Sequence, residues 1–184
     1  MQDEQDLVGR ASRGDKEAFS RLYESHFDRI YRYVAVKIGN RVEAEDMTQQ
    51  VFIRAYKSVG SYKQQGVPFS AWLFRIAHNR MVDYVRKESK KHTVPLDESL
   101  PVASESDPQH EAELRLNMEQ VATATRQLTK AQREVISLRF AGCQSIAEVA
   151  RTMGKSEGAI KALQHSAILA LRKTLKAGAH DGKI

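Results

Sequence analysis

Apolar side chains recur at helical spacing along most of the chain. From residue 15 onward they return in steps of three and four, which is the period of an amphipathic helix. Asp15 can cap the first run at its N-terminus, and Gly39 can end it. The spacing predicts one long helix, whose apolar positions are Phe19, Leu22, Tyr23, Phe27, Ile30, Tyr31, Val34 and Ile38.

Two further helices are predicted before residue 92. The second runs from about Val42 to Ser58 and is closed by Gly60, and the glycine and proline of residues 61–68 predict a loop. The third runs from 69 to about Lys91 and has two different sides. Leu73, Ile76, Ala77, Met81 and Tyr84 lie on one side, whereas Arg75, Asn79, Val82 and Arg86 lie on the other.

The composition changes between Leu96 and Glu113. Acidic residues occur there without Lys or Arg, and Pro101 and Pro108 within it, together with Pro95 just before it, oppose regular structure. This segment is predicted to be a linker. Helical periodicity returns at about 111–127, and a T-x-x-Q capping box made by Thr129 and Gln132 begins the next helix.

Two helices around a tight turn are predicted near the C-terminus. Ser145 can cap a short helix over 146–153, Gly154 can turn the chain, and Ser156 can cap a longer helix over about 157–175. No strand pattern competes with these helices. The chain is therefore predicted to be all-α, with two small helical domains joined by a flexible acidic linker, the second being a helix-turn-helix.

The C-terminal helix pair has the spacing of a DNA-binding helix-turn-helix. Ala150 is small where the helices approach, and Ile160 packs back onto the first of them. The alternative is a helical hairpin that only packs, with its charged face in water. If the second helix enters a major groove, the side chains that reach the DNA first are Ser156, Glu157, Lys161, Gln164 and His165.

Charge and motif content restrict the functions that this sequence can have. The 29 Lys and Arg against 23 Asp and Glu leave a net charge of +6, which favours polyanionic partners. Metal-ligand spacings, phosphate-binding glycine loops and nucleophile motifs are missing from the sequence, so we predict no cofactor, no metal and no enzymatic activity. The lone Cys143 and the lack of a leader or a long apolar span predict a cytoplasmic protein without membrane insertion.

The third helix combines aromatic rings with positive charge. Bases of a single strand can stack on Phe69, Trp72 and Phe74, while Lys and Arg follow the phosphates. Alternatively, these rings belong to the hydrophobic core. This second interpretation is favoured for Trp72 and for at least one phenylalanine. Core aromatics do not account for the basic strip of Arg75, Arg86, Lys87, Lys90 and Lys91.

Three segments resemble a known family. They read EAEDMTQQVFIRAYKSVGSY, PFSAWLFRIAHNRMVDYVRK and LTKAQREVISLRFAGCQSIAEVARTMGKSEGAIKALQHSAILALRKTL. Together they resemble, in order, the motifs of bacterial RNA polymerase sigma factors of the extracytoplasmic-function group, over about residues 15–175. The resemblance implies a subunit that directs promoter-specific initiation by reading the minus-35 duplex and capturing the melted minus-10 strand.

The resemblance also assigns roles to residues. It implies core polymerase, through its beta-prime and beta subunits, and promoter DNA as partners. The segment expected to bind core polymerase contains Glu43, Asp46, Gln49, Gln50 and Arg54. The residues expected at the minus-10 strand are Tyr62, Phe69, Trp72, Arg75, Asn79, Arg86 and Lys87.

The resemblance further divides the chain into a region 2-like domain at 1–92, a linker at 93–110 and a region 4-like domain at 111–184, the minus-35 reader. It implies a chain that is monomeric when free and is held by an anti-sigma factor. One position departs from the family pattern, because Ser166 stands where many members carry Arg. This change removes a candidate phosphate contact.

Two other function classes stay open at this point. A helix-turn-helix regulator would bind a duplex operator as a dimer, with its N-terminal half used for dimerisation or ligand sensing. A nucleic-acid-modifying enzyme is the third hypothesis, although the motif content opposes it. A separate hypothesis holds that the two halves pack against each other in the free chain and hide both DNA surfaces.

Overall fold

All regular structure in the described part of the chain is helical. The computed structural model describes residues 2–62, 67–91, 121 and 123–181, with the side chains of 4–62, 67–87, 121 and 123–176. This confirms the predicted all-α class. The helices are α1 Gln2–Ser12, α2 Lys16–Ile38, α3 Arg41–Ser58, α4 Phe69–Lys91, α5 Lys130–Ile136, α6 Ile146–Met153 and α7 Glu157–Asp181.

Local capping signals explain most helix boundaries. The Asp15 side chain accepts from the Ala18 amide, and Gly39 ends α2 in the left-handed conformation with φ 74°. Asn40 caps α3 in the same way. The sequence predicts that Gly60 closes this helix. In the structure α3 ends at Ser58, and a short 3₁₀ turn over Val59–Ser61 follows it.

Helix α1 was not predicted. Its acidic and polar residues dominate the pattern, yet Leu7, Val8 and Ala11 are spaced along one side and pack against α2. Val8 and Ala11 are each 3% exposed. So narrow an apolar stripe is a weak sequence signal, because a short helix obtains most of its stability from tertiary packing.

The second half contains a distortion that periodicity does not reveal. The capping box of Thr129 and Gln132 is present, but α5 continues as a π-helical turn over Ser137–Ala141 rather than as a regular helix. Gly142 follows this turn and lies against the first half. A Cβ atom there would stand 2.7 Å from the Phe74 ring and 2.8 Å from the Leu138 carbonyl, so only glycine fits.

The two halves pack against each other through α2, α4, α6 and the π-helical turn. Arg29 donates from Nε to the Gly142 carbonyl at 3.1 Å, and Ser70 donates from Oγ to Glu148 at 2.5 Å. The structure agrees with the first part of the hypothesis, that the two halves pack against each other. It does not agree with the second part for Arg75, Asn79 and Lys161, which stay exposed. The predicted linker at 93–110 lies outside the described residues.

A buried carboxylate lies at the centre of the contact between the halves. Glu134 of α5 is 8% exposed. Its carboxylate accepts from Tyr33 Oη at 2.7 Å and Lys37 Nζ at 2.5 Å, both on α2, and hydrogen-bonds His78 Nδ1 of α4 at 2.8 Å. Burial alone raises the pKa of Glu134, but His78 and Lys37 outweigh it and lower that pKa to about 2.

The Glu134 charge should make stability depend on pH. The pKa is lower in the folded chain than the ordinary 4.5, so this stabilisation is complete above that value and is lost as the pH falls towards 2. The shift corresponds to roughly 3 kcal/mol in the free energy of unfolding. We expect the melting temperatures of wild type and Glu134→Gln to differ at about pH 5 and to converge as the pH falls towards 2.

The matched control is Glu17→Gln, because Glu17 pairs with Arg21 at 3.2 Å on the exposed side of α2. An exposed pair contributes little, so its melting temperature should follow wild type throughout. A gap between wild type and Glu134→Gln that stayed constant into acid would contradict the assignment.

Candidate polymerase and nucleic-acid interfaces

One face of α3 is polar and open to solvent. Ala44, Met47, Val51 and Phe52 point into the core, so the residues between them face outward. All five residues predicted to bind polymerase lie outside the core: Glu43, Asp46, Gln49 and Arg54 are exposed and Gln50 is half-buried. The helix therefore carries them on its solvent side.

The outer surface of α3 also carries apolar side chains that sequence reasoning did not select. Val42 is 74% exposed and Ile53 is 53% exposed. Exposed apolar groups beside polar ones are common where a protein partner binds. Their exposure becomes visible only once the packing of α3 is known, because valine and isoleucine are as common inside a helix bundle.

Helix α4 supports this face across a cleft of about 490 Å³ between α3 and α4. Arg80 of α4 donates to the Gln50 side-chain oxygen, and Gln50 donates to Asp46 at 2.6 Å. Tyr84 Oη donates to Glu43 at 2.5 Å. The cleft thus orients two of the predicted contact residues through partners more than 25 positions away in sequence, which no local pattern predicts.

An aromatic cluster lies at the start of α4. The ring centroids of Tyr62 and Trp72 are 5.1 Å apart, and those of Phe69 and Trp72 are 5.4 Å apart. Tyr62 also donates from Oη to the Val67 carbonyl. Trp72 and Tyr62 are half-buried, so each has one protected and one accessible part. A ring held in this way is preorganised for a further stacking partner.

Phe69 requires a correction. It was expected near the minus-10 strand, but its side chain is 4% exposed and lies between His26 and the Tyr62 and Trp72 rings. The residue follows directly after Pro68 and begins α4, where an apolar side chain anchors the helix to the core. Phe69 therefore supports the aromatic cluster and does not present its own ring.

Positive charge follows the outer side of α4. Arg75, Asn79, Arg86 and Lys87 are exposed along about three turns of the helix, as the spacing predicted. Arg86 interacts with Asp83 at 3.3 Å. Val82, which shares this side, is 51% exposed. The strip continues from the aromatic cluster, so rings and cations lie on one connected surface.

The helix-turn-helix has the geometry that its sequence predicted. Ser145 and Glu148 form a capping box at α6, Gly154 adopts φ 64°, and Ser156 accepts from the Ala159 amide at 3.2 Å. Ile160 is fully buried and Ala150 is 6% exposed. These contacts set the angle between the two helices and leave the N-terminal part of α7 facing outward.

The outward part of α7 carries the predicted duplex-reading residues. Ser156, Glu157, Lys161 and His165 are exposed. Gln164 is half-buried and accepts from Arg139 Nε at 2.9 Å, so it reaches the surface in a fixed orientation. Ser166, at the position where the family pattern has Arg, is exposed. Its Oγ accepts a hydrogen bond from Gln132 Nε2 at 3.0 Å, a contact within the chain.

Among the residues that the structure describes, no helix is long and apolar enough to cross a membrane. The same residues contain no group of three potential metal ligands.

Known sequences and structures identify the family. Sigma-70 region 2 matches residues 22–91, and Sigma-70 region 4 matches residues 125–173. The ECF RNA polymerase sigma factor BldN of Streptomyces coelicolor is 38% identical over 92% of this chain, which spans 65% of its length. For the ECF sigma factor SigL of Mycobacterium tuberculosis the identity is 29%, over 92% of this chain and 95% of that protein.

The fold agrees with this similarity. The sigma factor RpoE of Bartonella quintana, solved with the anti-sigma factor NepR, superposes with a TM-score of 0.68 at 23% identity, over 86% of this chain and 96% of that chain. Two matched regions in family order, a relative at 38% identity and a shared helical architecture agree with one another. The chain belongs to the extracytoplasmic-function group of the sigma-70 family of RNA polymerase sigma factors.

Proposed function

We propose that the chain is a non-catalytic subunit that gives RNA polymerase its promoter specificity. The observation that carries this proposal is the presence, in one chain, of an outward-facing recognition helix and of a basic strip that continues from half-buried rings. Duplex reading requires only the first surface. Capture of an unpaired strand requires the second, because bases stack on rings while cations follow phosphates.

Each surface takes one role in the proposal. The domain at 1–92 binds core polymerase through the polar face of α3 and holds the minus-10 strand along α4. The domain at 111–184 reads the minus-35 duplex with α7, and 93–110 links them. The strand-side residues are Tyr62, Trp72, Arg75, Asn79, Arg86 and Lys87, and the duplex-side residues are Ser156, Glu157, Lys161, Gln164 and His165.

Partners and location follow from the same proposal. Core polymerase, through its beta-prime and beta subunits, and promoter DNA are the working partners, and the place of action is the cytoplasm, where they meet. Family membership adds an anti-sigma factor as a regulator of the free chain, which is monomeric.

Run-off transcription tests the proposal directly. Purified core polymerase from the source bacterium is incubated with fragmented genomic DNA at fixed salt, with and without the protein. Defined new transcripts that require the protein are expected. Tight duplex binding by the protein alone, without such transcripts, would favour the conventional helix-turn-helix regulator instead.

Lys161 should contact the DNA backbone. It is exposed on the outward part of α7, and a lysine meets phosphate as a compact point charge. We expect Lys161→Ala to weaken holoenzyme binding to a minus-35 duplex and to reduce the slope of log affinity against log salt by about one. Fluorescence anisotropy with a labelled promoter, measured over a salt series, gives this slope.

Lys176→Ala is the matched control, since Lys176 is exposed near the other end of the same helix. Its slope should equal that of wild type. If Lys161→Ala instead relaxed base preference and left the slope unchanged, Lys161 would contact a base edge and not a phosphate.

A further inference from the structure

A buried histidine lies directly behind the aromatic cluster at the start of α4. The side chain of His26, on α2, is 6% exposed. Its ring centroid is 5.5 Å from that of Phe69. The Phe69 centroid lies in turn 5.4 Å from that of Trp72 and 5.8 Å from that of Tyr62. His26 is thus linked through Phe69 to the two rings proposed to hold the unpaired strand.

Helix α1 contacts this histidine from another side. Glu4 Oε1 is 3.3 Å from His26 Nε2, and the Glu4 side chain is 44% exposed. Because an ionised carboxylate only accepts hydrogen bonds, Nε2 is the nitrogen that carries the ring proton. Burial and the nearby Glu4 carboxylate also raise the pKa of the Tyr62 hydroxyl. Helix α1 therefore brings a negative charge close to both His26 and the aromatic cluster.

The other ring nitrogen of His26 is buried. Nδ1 has no hydrogen-bond partner among the residues that the structure describes. Burial lowers the pKa of the imidazole below the ordinary 6.5; the carboxylates of Glu4 and Glu148 oppose this shift, and Arg29 adds to it. These charges face the ring from α1, α6 and α2, whereas α4 presents the uncharged Phe69 ring. His26 is therefore neutral at neutral pH, and a second proton would enter at a buried nitrogen.

We propose that His26 is a positioning residue for capture of the minus-10 strand, and that it acts only while its imidazole is uncharged. The neutral ring supports Phe69, which in turn orients the Tyr62 and Trp72 rings. A charged ring gains by turning towards water or towards Glu4, because its charge is poorly solvated where it lies. Either movement withdraws support from Phe69. The role in strand capture rests on the proposed function, whereas the support of the rings does not.

Intrinsic fluorescence of the free chain tests the support of the rings, because Trp72 is the only tryptophan in the sequence. We expect the wild-type emission to change as the pH falls from about 7.5 to about 5, with unchanged helix content by circular dichroism. His26→Gln still offers Glu4 a donor but does not ionise, so it should lose this change. His26→Phe, which keeps a ring, should lose it as well. Glu134 titrates at about 2, outside this range.

Glu4→Gln should give a result that a merely structural role would not produce. The Glu4 carboxylate favours the charged imidazole, so removing its charge should lower the midpoint of the emission change by roughly 1 pH unit. Asp6→Asn is the matched control, because it removes the same charge from another residue of α1, which pairs with Arg10 at 4.0 Å. Its midpoint should equal that of wild type. A wild-type emission that does not change, a change that persists in both His26 variants, or a midpoint unmoved in Glu4→Gln would overturn the proposal.

Strand binding by the holoenzyme tests the role in capture. The affinity for a labelled single strand is measured at about pH 7.5 and about pH 5.5, and the ratio of the two affinities is taken within each protein. Titration of polymerase and DNA then affects all proteins equally. The wild-type ratio should exceed that of His26→Gln by at least about 5-fold, which corresponds to the loss of one weakly stacked base. Equal ratios would overturn the role of His26 in strand capture.

The two proposals can fail separately. If the holoenzyme binds no single strand with wild type or any variant, the proposed function fails and the role in capture fails with it. The emission change of Trp72 alone still decides whether His26 supports the rings.

Discussion

Asp46→Arg is expected to abolish stimulation of core polymerase while leaving the fold intact. Asp46 is exposed on α3 and its carboxylate is held by Gln50, so the substitution changes a surface and not the core. A misplaced charge in a protein interface costs several kcal/mol. We therefore expect a loss of affinity for core polymerase of at least about 30-fold, or roughly 2 kcal/mol.

The measurement is direct binding of labelled protein to core polymerase, followed by run-off transcription from one promoter. Glu24→Arg is the matched control, because it makes the same charge change at an exposed position of α2. It should bind and transcribe as wild type. Equal losses in both variants would indicate a general effect of net charge, and normal binding by Asp46→Arg would remove α3 from the polymerase interface.

Trp72→Ala should prevent stable opening of the promoter. The Trp72 ring is half-buried against Tyr62 and Phe69, which hold it in place while part of it stays accessible. Stacking of one base on an aromatic ring is worth about 1 to 3 kcal/mol, so removing the ring should reduce capture of the minus-10 strand roughly 5- to 150-fold. Holoenzyme binding to a labelled single strand measures this loss.

Two further variants separate stacking from damage to the fold. Trp72→Phe keeps an aromatic ring and should retain most of the strand affinity. Leu73→Ala removes a fully buried neighbour in the same helix turn, and it should lower the melting temperature without a selective loss of strand binding. If Leu73→Ala lost strand affinity to the same degree, the loss in Trp72→Ala would reflect damage to the core and not the loss of a stacking ring.

The helices themselves are largely predictable because their signals are local. Asp15, Thr129 and Ser145 each cap the helix that follows, and Gly39 and Gly154 end helices in the left-handed conformation, as their positions in the sequence indicate. The outward-facing residues of α4 are also predictable from local sequence, because helical periodicity shows which residues share a face of the helix. Prediction failed for α1, whose apolar stripe is narrow, and for the π-helical turn, whose shape depends on distant contacts.

The placement of individual site residues was only partly predictable. Helical spacing put Arg75 and Asn79 on a surface, but it did not reveal that Phe69 is buried, because an aromatic ring at a helix start can serve either purpose. Arg80, which orients Gln50, was missed for a different reason. Its partner is 30 positions away, and side-chain pairing over that distance depends on the fold.

The helices from α2 onward, their order and the family follow from the sequence, since capping, periodicity and motif order are properties of neighbouring residues. Which side chains meet across helices, in contrast, depends on how the helices pack. This packing places Glu134 among Tyr33, Lys37 and His78, and Gly142 against Phe74. Contacts between residues so far apart along the chain arise from the packing of whole helices, and that packing leaves no local pattern in the sequence.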